Sequence, residues 1–461
     1  MKLQVSIEEF GAKADGTLQT GAIQAAIDHC FLQGGGVVTI PAGVYLTGGI
    51  RLRSHVTLYL QKNAVLKGVR DPEAYFGYLQ DEIEPLSADE ITDAPYIGLW
   101  KIHGETAYDE NDSRYRFKRL PGSRWNNALI RAIDAENVAI IGEEGSLIDG
   151  DNCFDEQGEE KFRGPHAIGF FRVKGIKLEG YTVQNSANWA HHLLFCENIS
   201  VGNVKVEAGH DGFDASVCKN LTITDCEFYS GDDCIAGFGN VNVFVENCLL
   251  NSSCSAFRFG GTNVYIRNCK AYAPGKYSFR GGLTKEEKQA GIMATADKAR
   301  NNMLSFFTYY ADYSVPIPQE PGNIVIESCD VRGADRLLHY NFSGNETWQR
   351  YRPLRDITFR DVTATDIGMA LNLYGTADKK VQLTMENVSV AMRPEAEVAE
   401  LVRACNYDRI SLLNLEVKGF TGECLIRSKG IGPVEYADIR SPLAECDYRM
   451  ETQEDFAIKK I

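Results

Sequence analysis

The sequence ISVGNVKV at residues 199–206 contains the pattern that decides the fold of this chain. Its apolar residues lie at the first, third, sixth and eighth positions, and the same order returns in LTITDCEF at 221–228 and VFVENCLL at 243–250. IKLEGYTV at 176–183 precedes these segments and VYIRNCKA at 264–271 follows them, so successive starts are 21 to 23 residues apart. Further starts follow at Ile324, Ile357, Leu383 and Ile410.

Alternation of apolar and polar residues at period two predicts short β-strands, and the three-residue step in the middle predicts a bend between two of them. A repeat of about 22 residues leaves no room for a helix in each coil, which indicates a stacked solenoid. Leucine-rich repeats have a similar length, but their leucine-rich signature is not found in these segments. The pattern therefore predicts an all-β fold, a single-stranded right-handed parallel β-helix.

Composition limits the classes of function. The 461 residues are 44% hydrophobic and 24% charged, as in ordinary folded proteins. The net charge of −15, from 48 basic and 63 acidic residues, argues against a nucleic-acid partner, because such partners require clustered basic charge. No stretch approaches 18 apolar residues, so we expect no membrane span. A secretory signal is not visible and the thirteen cysteines are an odd number, so we expect reduced thiols and a cytoplasmic location.

We expect a single domain over residues 1–461. Apolar spacing predicts a helix over Thr20–Phe31 that ends at Gly34–Gly36. An amphipathic helix at the end of a solenoid covers its open core. Residues 1–72 are therefore expected to hold an N-terminal cap and the first coils.

The main coils are expected over 127–440, followed by a C-terminal tail over 441–461. An aromatic-rich insert at 73–126 and a second insert at 277–303 interrupt the repeat. The second insert contains a capping box at 284–287 that would open a short helix. Long insertions in a solenoid usually lie along its binding face, so we expect these two to wall the site.

Four cysteines share the sixth position of the repeat: Cys226, Cys248, Cys269 and Cys329. Equivalent positions of successive coils stack, so these thiols are expected to form a ladder inside the solenoid. A metal or redox cluster is the alternative, but buried cysteine commonly behaves as a small hydrophobic side chain, which is the interpretation we favour.

The same register brings carboxylates together. Asp211 lies twelve residues after the start of its coil and Asp233 lies twelve after the next start, so their backbones should be about 4.8 Å apart. Asp232 falls in the column of His210. Three carboxylates this close repel one another, which raises at least one pKa and suits a general acid beside a general base. Asp-Gly turns and a Ca²⁺ site are alternatives, but three aspartates in register favour catalysis.

The order of several motifs resembles glycoside hydrolase family 28, the polygalacturonase-like pectinases, which fold as right-handed β-helices. The resemblance extends more weakly to about residue 390. The segments that carry it are FGAKADG at 10–16, GGGVVTIPAG at 34–43, SLIDG at 146–150, NSANW at 185–189, GHDGFD at 209–214 and SGDDCIA at 230–236.

The resemblance implies a role for each aspartate. Asp232 would be the general acid that protonates the leaving oxygen, and Asp211 and Asp233 would orient and deprotonate the attacking water. The family inverts the anomeric carbon, a mechanism that needs roughly 6.5–9.5 Å between the acid and base carboxyls. No cofactor and no metal ion are implied.

The chain departs from the family's motifs at three points. Gly209 and His210 replace the Asn and Thr that precede the first aspartate. Residues 253–255 are Ser-Cys-Ser where Gly-His-Gly is expected, so the histidine is lost. The Arg-Ile-Lys motif that grips a substrate carboxylate has no clean match. These departures bear on the substrate more than on the chemistry.

Six residues are candidates for substrate binding: His210, Arg258, Lys276, Arg280, Asn188 and His191. His210 lies two coils before the lost histidine, in the same column. Arg258 is expected to point outward beside the aspartates, Lys276 is expected in the column of Asp233, and Arg280 follows it. Asn188 and His191 lie in or just after the NSANW motif. Solvated surface charge is the alternative for Arg258, Lys276 and Arg280. A plain polar neighbour is the alternative for His210, and for His191 a structural role is the interpretation we favour over contact with substrate.

The leading hypothesis is a metal-free cytoplasmic glycosidase that acts on pectin-derived oligosaccharides containing galacturonic acid or rhamnose. The two inserts would close its pocket and favour exo attack. One alternative is a β-helix polysaccharide lyase, which would use Ca²⁺ and a basic residue. Another is a non-catalytic carbohydrate-binding solenoid. The expected partner is an oligosaccharide, and the oligomeric state stays open.

Overall fold

The computed structural model describes residues 3–75, 127–158, 162–280, 300–311, 317–340, 352–430 and 432–453. These residues form coils of three strands each, and equivalent strands of successive coils pair in parallel. The predicted parallel β-helix is confirmed. We call the three columns of paired strands the first, second and third stacks, in the order in which the chain visits them.

The first stack contains the repeat starts seen in the sequence. Four long strands also turn a corner between stacks. Ile235–Glu246 and Ser255–Arg267 run from the third stack into the first, and Val381–Met392 and Tyr407–Lys418 run from the first into the second. The other strands of the first stack are Leu3–Ser6, Gly36–Ile40, Val56–Leu60, Glu136–Gly142, Lys174–Glu179, Glu197–Gly202, Lys219–Thr224, Gly322–Glu327, Asp356–Arg360 and Val434–Ala437.

The second and third stacks complete each coil, and the last four strands of the third stack form a separate four-stranded sheet. The second stack contains Gly43–Thr47, Ala64–Gly68, Leu147–Asp149, Thr182–Gln184, Lys205–Ala208, Glu227–Ser230, Leu249–Ser252, Lys270–Tyr272, Asp330–Arg332 and Thr363–Ile367. The third contains Ile50–Arg51, Ala128–Ile133, His166–Phe171, His191–Leu194, Phe213–Ser216, Met303–Tyr309, Ala334–Tyr340, Leu371–Tyr374, Glu400–Cys405, Cys424–Lys429 and Arg449–Glu451.

The strand register follows the sequence repeat. Ile199 pairs with Leu221, Leu221 with Val243, and Val243 with Val264. Pairing continues without slippage across the second insert, where Val264 pairs with Ile324. All five of these side chains are buried in one continuous core. A one-residue slip would turn each of them to the solvent, so burial of this face fixes the register.

Asparagines hold the corner that precedes the first stack. Asn198, Asn220, Asn242 and Asn263 all have φ between 56° and 59°, a left-handed conformation that asparagine tolerates well. The side-chain amides of the last three each donate to the oxygen of the asparagine one coil before, at 2.8–3.1 Å. The polar side chains at these turns are therefore hydrogen-bonded to one another between neighbouring coils.

The predicted cysteine ladder lies in the interior. Cys226, Cys248, Cys269 and Cys329 are buried, and each thiol donates to the backbone carbonyl two residues before it, at 3.2–3.3 Å. All thirteen cysteines lie among the described residues, and none of them forms a disulfide bond.

An α-helix over Thr20–Leu32 packs its buried face, which includes Ile23, Ile27 and Cys30, against the first coil. It ends where Gly35 donates its N–H to the carbonyl of Cys30. Short 3₁₀ helices are formed by Ile7–Phe10, Pro72–Tyr75 and Glu445–Asp447. In the part of the chain that the structure describes, no helix combines the length and apolar character needed to cross a bilayer.

Much of the predicted wall lies outside the described residues. This holds for 76–126 of the aromatic-rich insert and for 281–299 of the second insert, including its predicted capping box at 284–287. Residues 454–461 of the predicted tail lie outside as well. The predicted domain boundaries stay a prediction.

Candidate active site

The three aspartates lie at the corner between the second and third stacks. Asp211 follows the strand Lys205–Ala208 and precedes Phe213–Ser216. Asp233 occupies the same place one coil later, and Gly212 donates its N–H to the Asp233 carbonyl at 2.9 Å. The two aspartates therefore share one column, as the register predicts.

Side chains in this column accept hydrogen bonds from the next coil. Asp211 Oδ1 accepts the backbone N–H of Asp233 at 3.1 Å, and Asp233 Oδ1 accepts the backbone N–H of Ser255 at 3.0 Å. Both carboxyl groups are almost fully buried, with 4% and 2% exposure. The coil stacking thus fixes their position.

Asp232 lies at the more open edge of the cluster and is partly exposed. Its backbone carbonyl accepts the hydroxyl of Ser252 at 2.7 Å, and the same hydroxyl oxygen accepts the N–H of Cys254 at 2.8 Å. One ligand atom each of Asp232, Asp233 and Cys254 lie within 4.8 Å of one another. This set could hold a metal ion, although its thiol suits a softer metal than Ca²⁺ or Mg²⁺. The predicted independence of metal stays a prediction.

Burial and mutual repulsion change the acidity of the cluster. The pKa of Asp211 is raised well above its ordinary value by burial first, and then by the charges of Asp232 and Asp233. Burial and the charge of Asp232 raise the pKa of Asp233 to about 7, against the opposing effect of Arg258. The cluster therefore retains protons near neutral pH, as acid–base catalysis requires.

Two arginines lie on opposite sides of the aspartates. Arg258 follows Asp214 and Ala236 in one column of the third stack, and its guanidinium lies over the Tyr310 ring at 4.0 Å. Arg163 lowers the pKa of Asp211, so its charge lies near that carboxyl group.

Rings continue the aspartate column toward the N-terminal coils. Ala190 donates its N–H to the Asp211 carbonyl, which places Trp189 beside Asp211. The Trp189 ring lies 5.4 Å from that of His166 and 5.0 Å from that of His192. His192 Nδ1 is in turn 3.4 Å from a carboxylate oxygen of Asp214.

His210 and Asn188 lie beside the cluster but are buried. The His210 ring stacks on Phe162 with 5.8 Å between ring centroids, and Asn188 Oδ1 accepts a hydrogen bond from Arg163 at 3.4 Å. Both side chains therefore contribute to the wall next to Asp211. Their predicted contact with substrate stays a prediction.

His191 requires a correction. Its ring is fully buried, with Nε2 3.1 Å from the Tyr181 hydroxyl and Nδ1 3.0 Å from the Gly212 carbonyl oxygen. Burial lowers its pKa to about 4, so the ring is neutral near pH 7. The structure places His191 in the core, because its position in the strand points inward rather than toward a ligand.

Lys276 and Arg280 also require correction. Lys276 was expected in the Asp233 column, but Ser305 pairs with Ser255 there, because the chain leaves the coil after Tyr272 and returns near residue 303. Lys276 Nζ instead lies 2.8 Å from a carboxylate oxygen of Glu207. Arg280 is 2% exposed and bonds to its own chain, so it is not available to a substrate.

Sequence reasoning did not identify four residues near the cluster: Arg163, His166, Asp214 and Arg300. The strand register could have identified Asp214, because Asp214 lies in the same column as Ala236, one coil later, and Arg258, two coils later. Arg163 and Arg300 lie outside the repeat, where no register applies. The charge of Arg300 opposes the rise in the pKa of the Cys254 thiol, so it lies near that group.

One oxygen each of Asp232 and Asp233 lies within 4.8 Å of the other. The expected separation of roughly 6.5–9.5 Å between whole acid and base carboxyl groups stays a prediction. Asp211 and Asp233 are both available as the base.

Sequence comparisons connect the chain with polygalacturonases. Residues 103–254 match the family described as Glycosyl hydrolases family 28. The chain is 30% identical over 244 residues to a probable polygalacturonase of Vitis vinifera, covering 50% of this chain and 43% of that protein. It is 29% identical over 262 residues to the exo-poly-α-D-galacturonosidase of Dickeya chrysanthemi, covering 51% and 42%. The chain thus spans less than half the length of either relative.

Solved structures show the same fold. An exopolygalacturonase of Thermotoga maritima superposes with a TM-score of 0.64 over 91% of this chain and 93% of that one, at 19% identity. A family 28 exopolygalacturonase of Yersinia enterocolitica gives 0.56 over 98% and 79%, at 16% identity. The predicted resemblance to glycoside hydrolase family 28 is confirmed.

Proposed function

We propose that this chain is a glycoside hydrolase that removes galacturonic acid from the ends of pectin-derived oligosaccharides. The observation that carries the proposal is the stacked carboxylate cluster of Asp211, Asp232 and Asp233. Its protons are retained near neutral pH because burial and repulsion raise the pKa of Asp211 and Asp233. The sequence relatives and the family match support the same reaction class.

Each aspartate has a role that its surroundings support. Asp232 is the general acid, since its partial exposure lets it reach the leaving oxygen of a bound sugar. Asp211 is the general base, because a raised pKa makes a carboxylate a better proton acceptor. Asp233, stacked one coil after Asp211, hydrogen-bonds the water in this proposal. Water attack opposite the leaving group then inverts the anomeric carbon.

The substrate carries negative charge in this proposal. A protein with net charge −15 repels a uronic acid unless local cations reverse the field at the site. Arg258 and Arg163 supply such cations on the two sides of the cluster. A guanidinium pairs with a carboxylate through two parallel hydrogen bonds, which makes it suited to binding the carboxylate of galacturonate.

Cleavage at the end of the sugar chain is supported by the rings beside Asp211. The column of the aspartates continues with Trp189 and then His166. Phe162 covers His210 on the neighbouring column. In this proposal the end of the sugar chain points toward these side chains, so a terminal residue fits better than an internal one.

A panel of defined oligosaccharides tests the proposal: saturated oligogalacturonides, their methyl esters, and oligomers that alternate galacturonic acid and rhamnose. We expect single galacturonic acid units from the first set, with one new reducing end per cleavage. Release of longer fragments would contradict exo action. An unsaturated product that absorbs in the ultraviolet would indicate a lyase instead, and binding without cleavage would indicate a binding solenoid. The cytoplasmic location stays a prediction.

A further inference from the structure

The base of the second insert crosses the catalytic corner. Residues 275–280, which we call the strap, leave the second stack after Lys270–Tyr272 and run back toward the N-terminal coils. Gly275 and Phe279 donate their N–H groups to the carbonyls of Asn301 and Arg300, at 2.7 and 3.1 Å. The strap is therefore paired with the segment that returns the chain to the third stack.

The strap lies on one column of residues in three successive coils. These are Gly209, Gly231 and Ser253, which directly precede the residue pairs 210–211, 232–233 and 254–255. Ser253 donates its hydroxyl to the Tyr277 carbonyl at 2.5 Å. A Cβ added to Gly231 would lie 2.4 Å from the Ser278 carbonyl oxygen. The strap thus touches the backbone immediately before every member of the cluster.

Arg280 anchors the end of the strap. Its Nη1 donates to the Ser186 carbonyl at 2.9 Å, and its Nη2 donates to Asn152 Oδ1 at 2.6 Å. Its guanidinium also lies 5.3 Å from the centre of the Phe154 ring. These partners come from two earlier coils, so one side chain ties the insert to two levels of the solenoid.

Gly209 makes room for this arginine. A Cβ at position 209 would lie 2.0 Å from Arg280 Nε and 2.7 Å from its Cζ. No side chain with a Cβ fits there while Arg280 keeps its place. The departure from the family's Asn at this position therefore has a physical reason in the strap.

We propose that Arg280 is a positioning residue, which holds the strap against Gly209 and Gly231 and so fixes the backbone that carries Asp211, Asp232 and Asp233. The proposal rests on the proposed function for its catalytic consequence. Misplacement of a reacting group by about 1 Å can lower a rate by about 10²-fold. Loss of the anchor should therefore affect kcat and leave substrate affinity almost unchanged.

The test compares Arg280→Met, Gly209→Ala and the double variant with Arg267→Met, an exposed arginine paired with Glu246 on the first stack. We expect Arg280→Met to lower kcat on trigalacturonate by roughly 10- to 100-fold, with KM within about threefold. Gly209→Ala should act similarly, because its methyl group displaces the guanidinium. The double variant should be no worse than Arg280→Met alone, since both changes remove one contact. Arg267→Met should match the wild type.

Amide hydrogen exchange followed by mass spectrometry supplies the readout that is independent of activity. In Arg280→Met, peptides covering 209–212 and 231–234 should exchange faster, while peptides from the distant coils 356–418 stay unchanged. Unchanged local exchange would overturn the proposal, as would a rise in KM alone or additive effects in the double variant. Faster exchange throughout the chain would also overturn it, because that indicates general destabilisation. If the wild type cleaves no galacturonide, the proposed function fails while the exchange data still decide whether Arg280 holds this backbone.

Discussion

The carboxylate of Asp211 accepts the backbone N–H of Asp233 at 3.1 Å. One catalytic candidate is thus oriented by the main chain of another, through the same coil-to-coil spacing that builds the solenoid. Substitution at either position changes a hydrogen bond as well as a charge. Asparagine is the informative replacement at these sites, because it keeps an acceptor oxygen and removes the titrating proton.

Asp232→Asn should lower kcat on trigalacturonate by about 10²- to 10⁴-fold, because an amide cannot deliver a proton to the leaving oxygen. Initial rates of reducing-end release measure the effect. Asp225→Asn is the matched control, since Asp225 lies in the same coil at an exposed left-handed turn position that Asn203 and Asn247 occupy in the neighbouring coils. Turnover by Asp232→Asn near the control's rate would refute the assignment.

Asp233→Asn should stabilise the protein at pH 8 and have less effect at pH 4. The folded-state pKa of Asp233 is about 7, above its ordinary value of 3.8, so the folded chain binds the proton more tightly than the unfolded chain. This contribution to stability is complete below about pH 4 and is lost as the pH rises through about 7. Asparagine does not titrate, so the Asp233→Asn variant does not lose this stability as the pH rises.

Thermal unfolding at the two pH values tests this linkage. We expect Tm of Asp233→Asn to exceed that of the wild type at pH 8 by on the order of 2 °C. The difference should shrink or reverse at pH 4. Asp225→Asn serves again as the control, and an equal shift at both pH values would mean that the Asp233 carboxyl group is not the source.

The first product should appear with inverted anomeric configuration. Asp233 is a poor nucleophile because it is 2% exposed, has a raised pKa and is bound to the Ser255 N–H. Proton NMR during early turnover of trigalacturonate reads the anomer before mutarotation. A retained anomer would show that Asp232 and Asp233, with oxygens within 4.8 Å, act as an acid and nucleophile pair.

Arg258→Ala should lower kcat/KM by roughly 10- to 100-fold on an oligogalacturonide, because charge-assisted hydrogen bonds are worth about 1.5–3 kcal/mol each. A methyl-esterified substrate should be affected much less. That comparison matters because Arg258 also opposes the rise in the pKa of Asp233, an effect common to both substrates. Equal losses of kcat/KM on the two substrates would show that Arg258 acts on the aspartate cluster and does not bind a substrate carboxylate.

The fold was predictable because each coil repeats the same local pattern. Residues such as Ile199, Leu221 and Val243 pair in register as the sequence spacing indicates. The helix expected over Thr20–Phe31 is found over Thr20–Leu32. Period-two burial and fixed coil length depend on nearby residues only, so a single sequence carries enough information to place them.

The site was predictable only where the register reaches it. Asp211 and Asp233 stack, and Arg258 follows Asp214 and Ala236, because all of them lie within regular coils. The same counting misplaced Lys276, since the chain leaves the coil before that residue. His191 was a candidate only through its place after the NSANW motif, and the strand buries that side chain.

The sequence by itself determined the solenoid, its inward-facing residues and the column that unites the aspartates, because these follow from a constant spacing along the chain. Tertiary structure decided the environment of that column. Arg280 meets Asn152 across 128 residues, and Arg163 approaches Asp211 from a segment outside the repeat. Such contacts depend on how irregular segments fold back over the coils, and no local period records that path. The burial that raises the pKa of Asp211 and Asp233 exists only after those segments are in place.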